Sequence, residues 1–457
     1  VAINIAEKAE FSIPPLWDSR PETPLVRAGP LPALVFSIPI KLFGFSGAPI
    51  IIVSLQCIFL YLTGALSRTL ASPYGVNKNL VQGLVIFNPN LVGLAHHAQS
   101  DLIFTCIFCI ALVILQKILL SNGQSKLTLY GFYGFISGLL CMTRSVGLVV
   151  ALVTPLALFA AIYFAPNKPK VSYHKFISGI ALAGLIFLVT ILPWSARNYV
   201  VLNTFSPTAG HNNQLEYMFN RLLSSQGKYT ISERHAFIEK HVSEYMTKNG
   251  YSYCMESVES DTRLDGCSRA LTYAHLDGLA SQPILSHLDA FVYAATRTLL
   301  TGGSSRLAVY LGVGADADHN QTSNIALDQL ISNFQGTKSI EQFVRSTFLN
   351  QDQIGYLILF GICTSFAIVM RVVGLFGFIA SLKTANHTNI SIFYVFIILL
   401  YLVIYMFVST SRFRAPLEPL LMLFAALGIS NIYAALKRNK KSKSKNIAFD
   451  VTPAKYV

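Results

Sequence analysis

The sequence predicts an all-α polytopic membrane protein. Only 12% of its 457 residues are charged, whereas a soluble domain carries about 25%. Mean hydropathy is +0.51, and nearly uncharged runs long enough to cross a bilayer recur along the chain. Together these observations exclude a soluble enzyme, a disordered regulator and a disulfide-stapled secreted module.

Taken in order, the chain opens with VAINIAEKAEF, which reads as the middle of a helix. Val1 is not a start methionine, and a tenth span is expected upstream. Nine apolar segments follow, at 47–67, 80–97, 101–120, 128–143, 146–165, 176–194, 355–381, 390–410 and 416–436. Each has about 16 to 27 residues, enough for a hydrocarbon core of about 30 Å. Residues 195–354 form one long external region between spans. Three amphipathic helices are read inside it. The first is capped by Ser232, carries Phe237, Ile238, Val242 and Tyr245 on its apolar face, and ends before Gly250. The second runs from Ser268 through Leu271, Ala274 and Leu279 to Pro283, and the third starts at Ser286 with Leu288, Phe291, Val292, Ala295 and Leu299 on one face.

The loops set the orientation. Alternate loops and the C-terminal tail hold fifteen basic residues, from Arg68 and Lys78 to the Lys437–Lys455 cluster, against one acid, Asp450. By the positive-inside bias these are cytoplasmic. The +13 net charge is thereby a topology signal, and nucleic-acid binding is not needed to explain it. The organisation is then 1–46 as the end of a first external loop with juxtamembrane helices, 47–194 as spans, 195–354 as external region, 355–436 as spans, and 437–457 as a basic cytoplasmic tail.

Ionisable residues at a membrane boundary are costly and mark function where they gather. Asp101, Arg144, Arg197, Arg412 and Arg414 all map to the external end of a span. Arginine forks suit phosphate oxygens in bidentate geometry, so this face fits an anionic lipid head group. Arg371 lies deep in an apolar run and is expected to snorkel toward the cytoplasm. Adjacent His96 and His97 cannot face one way on a helix, which argues against a zinc site built from both; His97 is read as part of a polar cavity beside Asp101. The stretch Asp316–Asn320 lacks the glycine and bidentate glutamate of a calcium loop and reads as a solvated loop. Cys57, Cys106, Cys109, Cys141 and Cys363 sit in apolar runs as packed hydrophobes. Cys254 and Cys267 lie in polar sequence and are able to pair in an oxidising compartment.

Several stretches have a familiar order. They are INIAEKAEFS with ETPLVRAGPLPALVFSIPIKLFG, then NPNLVGLAHHAQSDLIF, GFISGLLCMTRSVGL, LPWSARNYVVLNTFSPTAG and, near the end, SRFRAPLEPLLMLFAALGI. In these the chain resembles the GT-C glycosyltransferases, in the branch that uses polyprenyl-phosphate sugars. That branch includes dolichyl-phosphate-mannose protein mannosyltransferases and bacterial aminoarabinose transferases to lipid A. The resemblance covers most of residues 1–210 and 390–436. It departs at Ser145, where the family often has proline, and it does not extend over 211–354. The family's principal catalytic aspartate would lie upstream of Val1.

The resemblance implies an inverting membrane hexosyl- or pentosyltransferase. It would move a sugar from a polyprenyl-phosphate donor to a protein, lipid or glycan acceptor at the outer face of a bacterial inner membrane. It implies donor-phosphate or substrate contacts at Arg27, Arg144, Arg197, Asn198, Arg412, Arg414 and His97. Asp101 would be a supporting acid and the place for a divalent ion, Mg or Mn, if one is used. Two other readings share parts of the pattern. A polysaccharide polymerase or ligase also uses lipid-linked glycans and a large external loop. A transporter or flippase is disfavoured because no internal hydropathy repeat or broken midplane helix is read from the sequence.

Overall fold

The computed structural model describes residues 29–121, 124–163, 173–202, 212–226, 229–254, 265–311, 351–383, 385–404 and 411–449, with positions 2, 3, 5, 12, 13, 23, 24, 205 and 207. Arg27, residues 316–320 and the end of the 390–410 segment lie outside them. Among the described residues the fold is helical, apart from one two-residue antiparallel pair, β1 (Ser12–Ile13) with β2 (Thr23–Pro24).

Six described helices are long and apolar enough to cross a membrane, and two shorter apolar ones, Leu127–Thr143 and Thr388–Ile404, accompany them. The long α1 (Pro30–Leu70) changes direction at Gly44, whose φ of 65° and ψ of −177° are open to glycine alone. The expected 47–67 span is its second limb.

The segment 80–97 corrects the expectation of one continuous span. It forms two short helices, α2 (Lys78–Ile86) and α3 (Pro89–Ala95), each with an asparagine cap. The cause is local. Pro89 has no N–H and holds Asn88 extended, and the Asn88 side chain accepts from the amides of Asn90 and Leu91. The pair still runs back along α1: Ile86 lies opposite Gly64, and Gln56 reaches the carbonyls of His97 and Gln99.

The central helix is α4 (Asp101–Leu120), with 83% of its apolar window buried inside the protein. Around it stand α5 (Leu127–Thr143), α6 (Val146–Tyr163) and α7 (Tyr173–Leu202). Gly134 meets the Ala183 backbone and Gly138 meets Thr190, so α5 and α7 run parallel and in close contact, as small residues permit in a bilayer. On the other flank α13 (Gln351–Leu382) packs on α15 (Glu418–Phe449) through Gly377 and Gly428, with α14 (Ala385–Ile404) beside them. The α15 helix runs on through the basic tail, past the expected boundary at 436.

Between α7 and α13 the chain forms α8 (Asn212–Ser225), α9 (Ile231–Lys248), α10 (Asp265–Ala280), α11 (Ile284–Leu300) and α12 (Ser304–Leu311). Helices α8 to α10 enclose a second core around Phe219, Leu222, Ile238, Val242, Met246 and Leu271. The Cys254–Cys267 disulfide closes it. The cap of α9 is Thr230 and not Ser232. Its side chain accepts from the Glu233 amide while the Glu233 carboxylate accepts from the Thr230 amide, which also lowers the Glu233 pKa. The second helix begins at Asp265, ahead of Ser268, and the third at Ile284 with Pro283 before it. In that third helix the buried face is Ala290, Ala294, Arg297 and Thr298, while Leu288 and Val292 stand exposed.

Candidate functional site

Asp101 is the first residue of α4, where the helix dipole favours a negative charge, and it is only 2% exposed. Its carboxylate is held from two directions. Arg144, in extended conformation at the end of α5, donates through Nη1 to Oδ1. Arg412, on the 3-10 helix Ser411–Leu417, donates through Nε to Oδ1 and Oδ2 at 3.0 and 2.8 Å. Both guanidiniums lie over the ring of Phe413, at 5.3 and 5.9 Å from its centre.

A third arginine joins them. Arg306, on α12, is partly buried within electrostatic reach of Asp101, Arg412 and Arg144, and desolvation pushes its pKa down to about 10. Close packing places it there. Gly303 has a φ of 77°, and a side chain on it would strike Asn90 of α3, while one on Gly302 would strike the Cys363 backbone of α13. The Gly302–Gly303 pair thus threads between two helices and lays α12 against Gly93. Arg306 was not found by sequence reasoning. The double glycine before an arginine was the signal available.

His97 completes the group. Gln56, itself fully buried on α1, donates to the carbonyls of His97 at 3.0 Å and Gln99 at 2.7 Å, and so ties the 96–100 turn to the bundle. Burial pulls the His97 pKa down, and the nearby positive charge of Arg306 adds to this, so the ring is held neutral. Four buried polar atoms here have no hydrogen-bond partner: His97 Nε2, Arg306 Nη1, Gln56 Oε1 and Gln99 Oε1. They lie next to three guanidiniums and one carboxylate, a group of net positive charge whose chemistry suits an anion.

The remaining expected residues go elsewhere. Arg414 turns away from Asp101. It donates through Nε to Glu418 and through Nη1 to the carbonyls of Thr298, Leu299 and Thr301, which end α11. At 1% exposure it is a structural clasp, which corrects its assignment to the donor phosphate. The reason is helical geometry: residues two apart on a 3-10 helix of three residues per turn point to different sides. Arg371 is corrected as well. It does not snorkel to the cytoplasm but donates to the same Glu418 at 2.8 Å, beside Asn88 at 3.0 Å. Arg197 donates to Asn198 at 3.0 Å and stacks 4.7 Å over Trp194 near the end of α7.

The donor set suits a divalent ion poorly. Mg and Mn ask for several oxygen ligands, the Asp101 carboxylate is taken by two guanidiniums, and among the described residues no three His, Cys, Asp or Glu gather.

The long apolar helices, the central α4 and the cationic site at its start make this an integral membrane protein with a polar site at one end of its bundle. The sequence matches no protein-family model and no curated protein. In its fold the chain is similar to the archaeal oligosaccharyltransferase AglB from Archaeoglobus fulgidus, solved with an inhibitory peptide and a dolichol-phosphate. Identity is 12%, the TM-score is 0.49, and the match covers 100% of this chain and 47% of that one. The chain thus spans about half the length of that enzyme. It is also similar to ArnT from Cupriavidus metallidurans bound to undecaprenyl phosphate, at 12% identity and a TM-score of 0.36, over 99% of this chain and 75% of that one.

Proposed function

We propose that this protein is a membrane glycosyltransferase that takes a sugar from a polyprenyl-phosphate donor and passes it to a hydroxyl or amine at the outer face. The observation that carries this reading is the convergence of Arg144, Arg306 and Arg412 on one buried carboxylate at the start of α4. One acid against three cations leaves a surplus of positive charge, suited to a lipid phosphate whose negative charge grows as the sugar departs. The motifs resembling the polyprenyl-phosphate branch lie on the same segments: AHHAQSD, the TRS turn and SRFR.

The residues divide the work. Arg144 and Arg412 present guanidinium edges, 15% and 31% exposed, to the phosphate oxygens. Asp101 orients them and is too fully engaged to take a proton itself. His97 keeps a neutral, unpaired Nε2 to accept the proton of the incoming nucleophile. Arg197 and Asn198, engaged with each other and with Trp194, are given no part in holding the phosphate. A divalent ion at Asp101 would have to displace a guanidinium, which makes metal-free transfer the better reading. The disulfide on the α8–α10 unit supports an outward, oxidising location for that unit and the site below it. With the positive-inside bias, this supports a cytoplasmic tail, and a bacterial inner membrane is our preferred setting.

The test uses the full chain in nanodiscs with radiolabelled polyprenyl-phosphate sugars and protein, lipid A or glycan acceptors. Sugar transfer that is lost in Arg412→Gln supports the reading. A transporter keeps one observation in its favour, the interrupted α2–α3 helix beside Glu418. Movement of labelled lipid across sealed vesicles, with no sugar transferred to any acceptor, would replace the enzyme with that reading.

A further inference from the structure

Helix α5 ends at Thr143, and Arg144 leaves it in extended conformation to reach Asp101. Two glycines from other parts of the chain lie against the backbone of that last turn. Gly29, just ahead of α1, faces the carbonyl of Met142, and Gly147, in the first turn of α6, faces the carbonyl of Leu140. At either place a Cβ would fall well inside van der Waals contact with main chain, which has no rotamer by which to turn aside.

Backbone conformation does not ask for glycine at these positions. Gly29 has a φ of −65° and a ψ of 154°, open to any residue, and it caps a helix, where serine or asparagine ranks above glycine. Gly147 is helical with no left-handed φ, and glycine in a helix is less stable than alanine. What both supply is space. That space bears on Arg144 through its own hydrogen bonds. The Arg144 amide donates at 3.1 Å to the Leu140 carbonyl, the group Gly147 lies against, and the Arg144 carbonyl accepts from the Gly147 amide at 2.9 Å. A shift of the turn is therefore passed to Arg144 and on to its contact with Asp101.

We infer that Gly29 and Gly147 are positioning residues for the Arg144 guanidinium. Together they clamp the end of α5 from two sides, so that this arginine meets Asp101 and keeps its free edge toward the anion. The effect on a phosphate rests on the transferase reading, while the pairing of Arg144 with Asp101 does not.

The test uses the full chain in nanodiscs as Gly29→Ala and Gly147→Ala, with Gly184→Ala as control because a Cβ there meets nothing. Phenylglyoxal labels accessible guanidiniums, and peptide mass spectrometry reads Arg144 against the exposed Arg438. Arg144 labelling is expected to rise several-fold in Gly29→Ala and in Gly147→Ala and to stay level in the control. By calorimetry with decaprenyl phosphate, each of the two is expected to lose affinity several-fold, yet to lose nothing further when combined with Arg144→Gln, since the loss runs through that side chain. A merely structural role would give additive losses, and additivity would overturn the inference. So would Arg144 labelling that is unchanged in both variants or raised as much in Gly184→Ala. If one variant fails to fold the other decides, because they reach the turn from different helices; collapse of both would overturn the inference, since the glycines would then serve the fold as a whole. Raised labelling beside an unchanged phosphate affinity in Arg144→Gln would count against the transferase reading and leave the positioning role standing.

Discussion

Asp101 and Glu418 each face more than one guanidinium, and one short 3-10 helix supplies an arginine to both. Around Glu418 the network is sealed. Glu418 is fully buried, Arg414 is 1% and Arg371 10% exposed, and Arg414 spends its donors on the carbonyls that end α11. Around Asp101 the arginines remain partly open, at 15% and 31%, and several polar atoms stand idle. The same residue types thus build a clasp in one place and a candidate anion site in the other. What separates them is access: Arg371 Nε and Nη1 also lack partners, but they lie buried beside Glu418, whereas the Asp101 arginines keep an open edge.

The sharpest way to break this comparison is Glu418→Gln. It would strand two buried guanidiniums in an apolar interior, at a cost of about 3–5 kcal/mol. Loss of monodisperse protein, or a large fall in thermal midpoint in detergent, is expected. An unchanged midpoint would mean that the network is not sealed. Next comes the pair Arg412→Ala and Arg414→Ala. The first is expected to weaken polyprenyl-phosphate binding by about 10-fold or more, the worth of a charge-assisted hydrogen bond, with little change in midpoint. The second is expected to do the reverse, and calorimetry beside thermal scans reads both. If the two variants behave alike, the division between clasp and site is wrong.

Arg306→Gln sharpens the picture on the open side. It should lower phosphate affinity by a smaller factor than Arg412→Ala, because Arg306 acts on Asp101 through space, and it should leave the midpoint almost unmoved. The smallest effect concerns pH. His97 has its pKa lowered in the folded protein, so the unfolded chain takes up a proton there first as pH falls. The stability tied to the neutral ring is present above the ordinary histidine value and is lost as pH drops through the folded one. Between pH 7 and 5 the wild type is therefore expected to lose slightly more midpoint than His97→Gln. Parallel curves for the two proteins would remove His97 from the buried group.

Much of this molecule was legible in the chain. The apolar periods located eight of the nine segments as helices because a bilayer demands length and hydrophobicity, and both are written locally. Asp101, Arg144 and Arg412 stood out because charge at a membrane boundary is rare. The interruption at Asn88-Pro89 was legible too, as a cap followed by a residue that cannot extend the preceding helix, but hydropathy smoothed over it. Arg306 was missed, since its one local mark, the double glycine at 302–303, does not say which helices the chain will thread between.

By itself, then, the sequence determined the membrane class, the positions of the spans and the set of charged residues gathered at their ends. These depend on composition and on neighbours within a turn or two. Only the tertiary structure decided which arginine meets which carboxylate. Arg412 and Arg414 are two residues apart and chemically identical, yet a tight helical turn aims one at α4 and the other at α15. That choice rests on the direction of each side chain relative to α4, for Arg412, and to the end of α11, for Arg414, both more than a hundred residues away along the chain, and the packing of Gly302 and Gly303 between α3 and α13 brings in the third cation in the same way.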